Sequence, residues 1–70
     1  MVISEKQIRE LEDYFKIAAL PDTIVLDAGS RVDDVPRFIQ SHLRVLRNNA
    51  DKPAYEVFYL RLQKVKELIS

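Results

Sequence analysis

The chain has 70 residues, of which 11 are basic, 11 are acidic and none is cysteine. This length is about half that of a typical domain, so it excludes a multidomain enzyme and predicts one small domain over residues 1–70. The lack of cysteine excludes disulfides and thiolate metal sites. No stretch approaches about 18 uncharged residues, so we expect no membrane segment and predict a cytoplasmic location.

The first predicted helix begins with a capping box. Ser4 and Gln7 have the required spacing, and an isoleucine on each side of the pair forms a hydrophobic staple. The helix should end by residue 19 or 20, because the residue before Pro21 disfavours helical geometry. Ile17 lies off the apolar face. That face consists of Ile8, Leu11, Phe15, Ala18 and Ala19.

The link between the first two helices has extended character. Residues 23–26 are rich in β-branched side chains, and residues 27–30 favour a turn with a positive φ at Gly29. Arg31 and Val32 could then pair with the first segment in a very short β-hairpin. Because an isolated two-stranded ribbon is marginal in water, an extended strap across the helices is the alternative.

The second helix shows the most regular amphipathic pattern of the chain. Asp33 and Asp34 supply an acidic N-cap, Pro36 suits the first turn, and the helix should run to about Asn48. Its apolar face consists of Val35, Phe38, Ile39, His42, Leu43 and Leu46.

The third helix is predicted over residues 54–69. Its apolar face consists of Tyr55, Phe58, Leu62, Val65 and Ile69. Arg61 points to the edge of this face, so we expect it to pair with an aspartate within residues 27–34. Leu60 projects from the opposite side, either as a surface residue or as a seat for the strap.

These elements predict an all-α fold, namely a three-helix bundle with an extended strap or a very short β-hairpin between helices 1 and 2. The predicted core consists of Ile8, Leu11, Phe15, Phe38, Ile39, Leu43, Leu46, Phe58, Leu62 and Val65.

Motifs along nearly the whole chain carry a family resemblance. They are Leu11-x-x-Tyr14-Phe15, Leu20-Pro21, Ile24-x-Leu26, Gly29-Ser30-Arg31-Val32 and Asp34-Val35-Pro36-x-Phe38-Ile39-x-Ser41-His42-Leu43. With these motifs the chain resembles a family of short, uncharacterised bacterial proteins, a domain of unknown function. The resemblance implies no activity, cofactor or binding residue.

His42 is the only histidine and lies within the apolar face of the second helix. A histidine in that position is usually a core residue hydrogen-bonded to a carbonyl group. Catalysis or metal binding would need a second histidine, a cysteine pair or a nearby carboxylate at ligand spacing, and the sequence offers none of these patterns. We therefore expect no enzymatic activity, no metal and no cofactor.

The charge distribution suggests one hypothesis about function. Residues 1–36 carry four basic and eight acidic side chains, whereas residues 37–70 carry seven basic and three acidic ones. A helix-turn-helix-like surface in the basic half could bind nucleic acid, with Arg37, Arg44 and Arg47 facing the anion. The zero net charge and a pI of about 6.6 count against this hypothesis.

The preferred hypothesis is a small, non-enzymatic protein-interaction or accessory module. Ile17, Tyr59 and Leu60 have no place on the three apolar faces, so we predict that they face a partner; ordinary surface exposure is the alternative. The partner is an unknown protein, and self-association is one form that the interaction could take.

Overall fold

A computed structural model describes residues 3–27 and 29–70 of the chain. The elements occur in the order α1 (Glu5–Ile17), β1 (Ile24–Val25), β2 (Arg31–Val32), α2 (Val35–Asn48), a 3₁₀ turn (Pro53–Tyr55) and α3 (Glu56–Ile69). The predicted three helices with a very short hairpin between the first two are thus confirmed.

The start of α1 is fixed by the predicted capping box. The Ser4 hydroxyl accepts a hydrogen bond from the Gln7 backbone at 3.1 Å, and the Gln7 side chain accepts one from the Ser4 backbone at 2.9 Å. Ile3 and Ile8 on either side of the box are both buried, as a hydrophobic staple requires. The Ile3 backbone also donates to the Ala50 carbonyl, which ties the chain start to the end of α2.

The end of α1 differs from the prediction. The helix stops at Ile17, Ala18 already has extended backbone geometry, and Ala19 is exposed. Placing both alanines on the apolar face of the helix was therefore wrong. Leu20, in the non-helical segment that follows, packs against the core.

The link forms a real β-hairpin. Ile24 pairs with Val32 and Val25 with Arg31 in antiparallel register, and Gly29 has a φ of 89° in the turn. The Leu26 backbone donates to the Ser30 carbonyl at 2.9 Å, which extends the pairing towards the turn. Packing stabilises this ribbon, since the side chains of Ile24, Leu26 and Val32 lie against the core.

The helices enclose a single thin core. Among the described residues, the buried apolar side chains are Ile3, Ile8, Leu11, Phe15, Val35, Ile39, Leu46, Leu62 and Val65. Phe38, Leu43 and Phe58, which we predicted to be core residues, are only partly buried at its edge. A chain this short buries a smaller fraction of its surface than a larger domain does, so part of each apolar face stays at the boundary.

The last helix begins later than predicted, and Arg61 has a different partner. The 3₁₀ turn precedes α3, so the α-helix proper starts at Glu56.

Arg61 is exposed, and its guanidinium lies 5.6 Å from the centre of the Phe58 ring. The structure shows no ion pair of Arg61 with Asp27, Asp33 or Asp34 within the described residues; Asp33 instead pairs with Arg31 at 2.5 Å. The expected ion pair was therefore wrong.

Candidate interaction groove

A groove of about 320 Å³ lies between the hairpin turn and the outer face of α3. The residues that line it are Leu26, Asp27 and Ser30 from the hairpin and Val57, Leu60, Arg61 and Lys64 from the helix. Val57, Leu60, Arg61 and Lys64 are spaced three, one and three residues apart, which places them on one face of α3. We refer to this feature as the α3 groove.

The floor of the α3 groove is apolar and accessible. Leu60 is 53% exposed and Val57 is 42% exposed, while Leu26 is half-buried and packs against the core. Leu60 and Leu26 therefore line the same surface, although the hairpin does not cover Leu60. Together these aliphatic side chains form a small exposed apolar patch that another chain could cover.

The rim of the α3 groove carries two cations on the helix and one carboxylate on the hairpin. Arg61 and Lys64 follow each other by one helical turn, and Asp27 lies on the opposite side. Lys64 is 4.0 Å from the carboxylate of Glu67, and both side chains are largely exposed. A pair of that length and exposure holds the ammonium group only weakly, which leaves it able to attract a second anion.

Two of the predicted partner-facing residues lie elsewhere. Ile17 is 86% exposed at the end of α1 and does not line the α3 groove. Tyr59 is half-buried, and its hydroxyl accepts hydrogen bonds from Gln63 at 2.6 Å and from Gln7 at 3.4 Å. The Tyr59 side chain thus joins α1 to α3 within the fold.

The three arginines predicted to face an anion have different surroundings on α2. Arg47 is bound by α1: its Nη1 atom donates to Glu5 at 2.9 Å, and its Nε atom donates to Glu12 at 2.9 Å. These contacts hold the pKa of Glu12 below its ordinary value and raise that of Arg47. Arg37 and Arg44 line a separate shallow depression on α2, together with Gln40, Ser41 and Val45.

His42 is packed as the sequence suggested for a core histidine. Its ring stacks on Phe38 with a centroid separation of 3.9 Å, and the Phe58 ring lies 4.8 Å away. The Nδ1 atom lies 2.9 Å from the Phe38 carbonyl; because a carbonyl only accepts, Nδ1 carries the proton. Nε2 is buried and has no hydrogen-bond partner within the described residues.

Burial lowers the pKa of His42, and the nearby charge of Arg61 lowers it further, while the hydrogen bond to Phe38 opposes the shift. The ring is therefore neutral near pH 7. Across residues 3–27 and 29–70, no cluster of three or more histidine, aspartate or glutamate side chains is arranged to hold a metal ion. In the same part of the chain, no helix is long and apolar enough to span a bilayer.

Residues 6–70 match a domain of unknown function, DUF6965. The chain belongs to this family. The matched segment includes the hairpin, all of α2 and α3 and most of α1, so the family pattern contains both sides of the α3 groove. No curated protein and no solved structure matches the chain.

The sequence pattern predicts only part of the α3 groove. Leu60 was identified because it falls outside the apolar face of the third helix. Val57, Arg61 and Lys64 were not grouped with it, although their spacing predicts that they lie on the same helix face. The position of Asp27 at the groove could not be predicted from the sequence, because it depends on how the hairpin turn packs beside a helix 30 residues further along the chain.

Proposed function

We propose that this domain is a small, non-enzymatic protein-interaction module that acts in the cytoplasm. The α3 groove is its binding surface, and it receives an apolar side chain flanked by carboxylates from another polypeptide. The observation that carries the proposal is the joint exposure of Val57 and Leu60 beside two cations on the same face of α3.

The chemistry of the groove defines the preferred partner. An aliphatic side chain placed on Val57 and Leu60 removes apolar surface of both chains from water, which contributes on the order of 1.5–3 kcal/mol for a fully buried anchor. Carboxylates beside the anchor would be attracted by Arg61 and Lys64. Such exposed charges contribute little affinity, but they favour a negatively charged partner and determine its orientation.

The surroundings of His42 support a role without catalysis. Its Nδ1 proton is used by the Phe38 carbonyl, and the Nε2 lone pair is covered by protein. A general base has to reach the proton that it removes, directly or through one water molecule. In its packed position this imidazole stabilises the edge of the core and is not accessible to a substrate.

The proposal is tested by selecting random peptides, displayed on phage, against the immobilised full chain. We expect the selected peptides to contain an aliphatic residue close to Asp or Glu, and to shift the backbone NMR signals around Val57 and Leu60. Leu60→Glu places a negative charge in the groove and should weaken peptide binding at least tenfold, which is about 1.4 kcal/mol.

Gln40→Glu is the matched control for this test. It adds the same charge on an exposed residue of α2, outside the α3 groove, and should leave peptide affinity unchanged. Peptides that bind wild type and Leu60→Glu equally well would show that the α3 groove is not the binding surface. A selection that yields no specific peptide would also count against the proposal.

The nucleic-acid hypothesis stays a prediction. It now depends on Arg37 and Arg44, because Arg47 is engaged by two glutamates of α1. Binding through phosphate contacts would weaken steeply as the salt concentration rises, and a lack of retention on heparin at low salt would exclude it.

A further inference from the structure

The outer face of α1 carries a pattern of side chains that is complementary to the α3 groove. Glu10, Asp13 and Ile17 are all exposed and are spaced three and four residues apart, so they lie on one helix face. Ile17 is the most exposed large apolar side chain within the described residues. An apolar side chain beside two carboxylates is the chemistry that the groove favours.

The groove-lining face of α3 has the same spacing in the opposite direction. Val57, Arg61 and Lys64 are four and three residues apart, which corresponds to about 6 Å and about 4.5 Å along a helix. An antiparallel alignment of α1 from one copy with α3 from another therefore brings all three positions into register at once. The facing pairs are Ile17 with Val57, Asp13 with Arg61, and Glu10 with Lys64.

We propose that the α3 groove binds the outer face of α1 from a second copy of this chain, an inference that rests on the interaction function proposed above. Ile17 enters between Val57 and Leu60. The two carboxylates of the incoming helix meet the two cations of the rim. Only the antiparallel register matches the apolar side chain with apolar surface and both carboxylates with cations, because a parallel alignment would place Glu10 at Val57 and Ile17 at Lys64.

The contact joins two different surfaces of the molecule. Each copy therefore offers one α1 face and one α3 groove, so the contact is heterologous and can either close into a ring or continue into a chain of copies. The apolar part of the contact supplies most of the affinity, because exposed ion pairs are screened by salt and contribute little. We expect weak association that increases with concentration.

Sedimentation velocity and light scattering of the full chain, from about 10 µM to about 1 mM, test the proposal by mass action. The apparent mass of wild type should rise with concentration above the 8.2 kDa of one chain. Ile17→Glu and Leu60→Glu should each weaken association at least tenfold, whereas Gln40→Glu should resemble wild type. All three substituted positions are exposed, and circular dichroism verifies that each variant is folded.

A mixing experiment distinguishes this arrangement from any other self-association. Ile17→Glu retains an intact α3 groove, and Leu60→Glu retains an intact α1 face. An equimolar mixture of the two variants should therefore form a heterodimer although neither variant associates alone. Failure of the mixture to associate would overturn the proposal, because it would place both residues on one shared surface or outside the contact.

Charge reversal tests the register. Glu10→Lys and Lys64→Glu should each weaken self-association, and the double variant should recover it, because the reversed charges meet again between neighbouring copies. A double variant that is weaker than both single variants would contradict the pairing. If wild type keeps the mass of one chain throughout while selected peptides still bind the α3 groove, the second-copy proposal fails and the interaction function stands.

Discussion

At the scale of single residues, the position of a side chain between core and surface decides its chemistry. The His42 ring stacks on Phe38 and contacts the tilted ring of Phe58, with one nitrogen bonded and the other covered, so its charged form is disfavoured. Arg47 lies at the surface, where two glutamates of α1 hold its charged form. The same principle accounts for both, since a charge is stabilised by a partner and destabilised by burial without one.

Protonation of His42 should couple pH to stability. Because its pKa is lowered in the folded chain, the unfolded chain binds the proton more tightly, and the free energy of unfolding should fall as the pH drops below about 6.5. The measurement is the urea midpoint between pH 7.5 and about 5. His42→Gln should remove the pH dependence in this window. Glu12, whose pKa is also lowered, should contribute only below its ordinary value of 4.5.

Truncations of apolar side chains should rank by depth. Leu46 is fully buried, so Leu46→Ala should lower the free energy of unfolding by about 3 kcal/mol. Phe38 lies at the edge of the core, so Phe38→Ala should cost less, about 2 kcal/mol. Arg44→Ala on the exposed face of α2 should change stability by less than about 0.5 kcal/mol. Urea melts that show equal losses for Leu46→Ala and Arg44→Ala would contradict the assignment of faces.

At the scale of elements, features set by neighbouring residues were predictable and features set by distant ones were not. The capping box at Ser4, the N-cap at Asp34 and the positive φ at Gly29 follow from interactions within a few residues. α1 ends at Ile17, two residues before the predicted limit, and Leu20 beyond its end packs against the core. Whether the link would pair as a hairpin was also open, since the ribbon depends on packing against the helices.

The ion pairs of Arg47 are the clearest connection between two helices that the sequence did not reveal. Its guanidinium reaches two glutamates of α1 that are seven residues apart and therefore lie on one helix face. Arg47→Ala should lower the urea midpoint more than Arg44→Ala, because Arg47→Ala removes the ion pairs between α1 and α2. The difference between the two variants should shrink in about 1 M salt, where screening extends to about 3 Å. A difference that is unchanged by salt would show that packing of the side chain, not its charge, joins the helices.

At the scale of the whole molecule, some of the opposite charges of the two halves pair within the fold, and others stay on the surface. Arg47 in the basic half pairs with Glu5 and Glu12 in the acidic half. The charges that stay on the surface include carboxylates on the outer face of α1 and cations beside the α3 groove. A chain of zero net charge can therefore still carry complementary charges on two surfaces, as recognition between copies requires.

Association between copies should also appear in thermal stability. Anything that binds the folded chain but not the unfolded chain raises the melting temperature by mass action, so Tm of wild type should increase with protein concentration. Ile17→Glu and Leu60→Glu should each melt at a temperature that is independent of concentration, because each lacks one of the two surfaces. Differential scanning calorimetry of the three proteins, at the lowest and highest concentrations used for sedimentation, provides the measurement. A mixture of the two variants again contains an intact α1 face and an intact α3 groove, on different chains. Tm of that mixture should therefore regain part of the concentration dependence. A dependence that persists in the separate variants would place the contact elsewhere on the molecule.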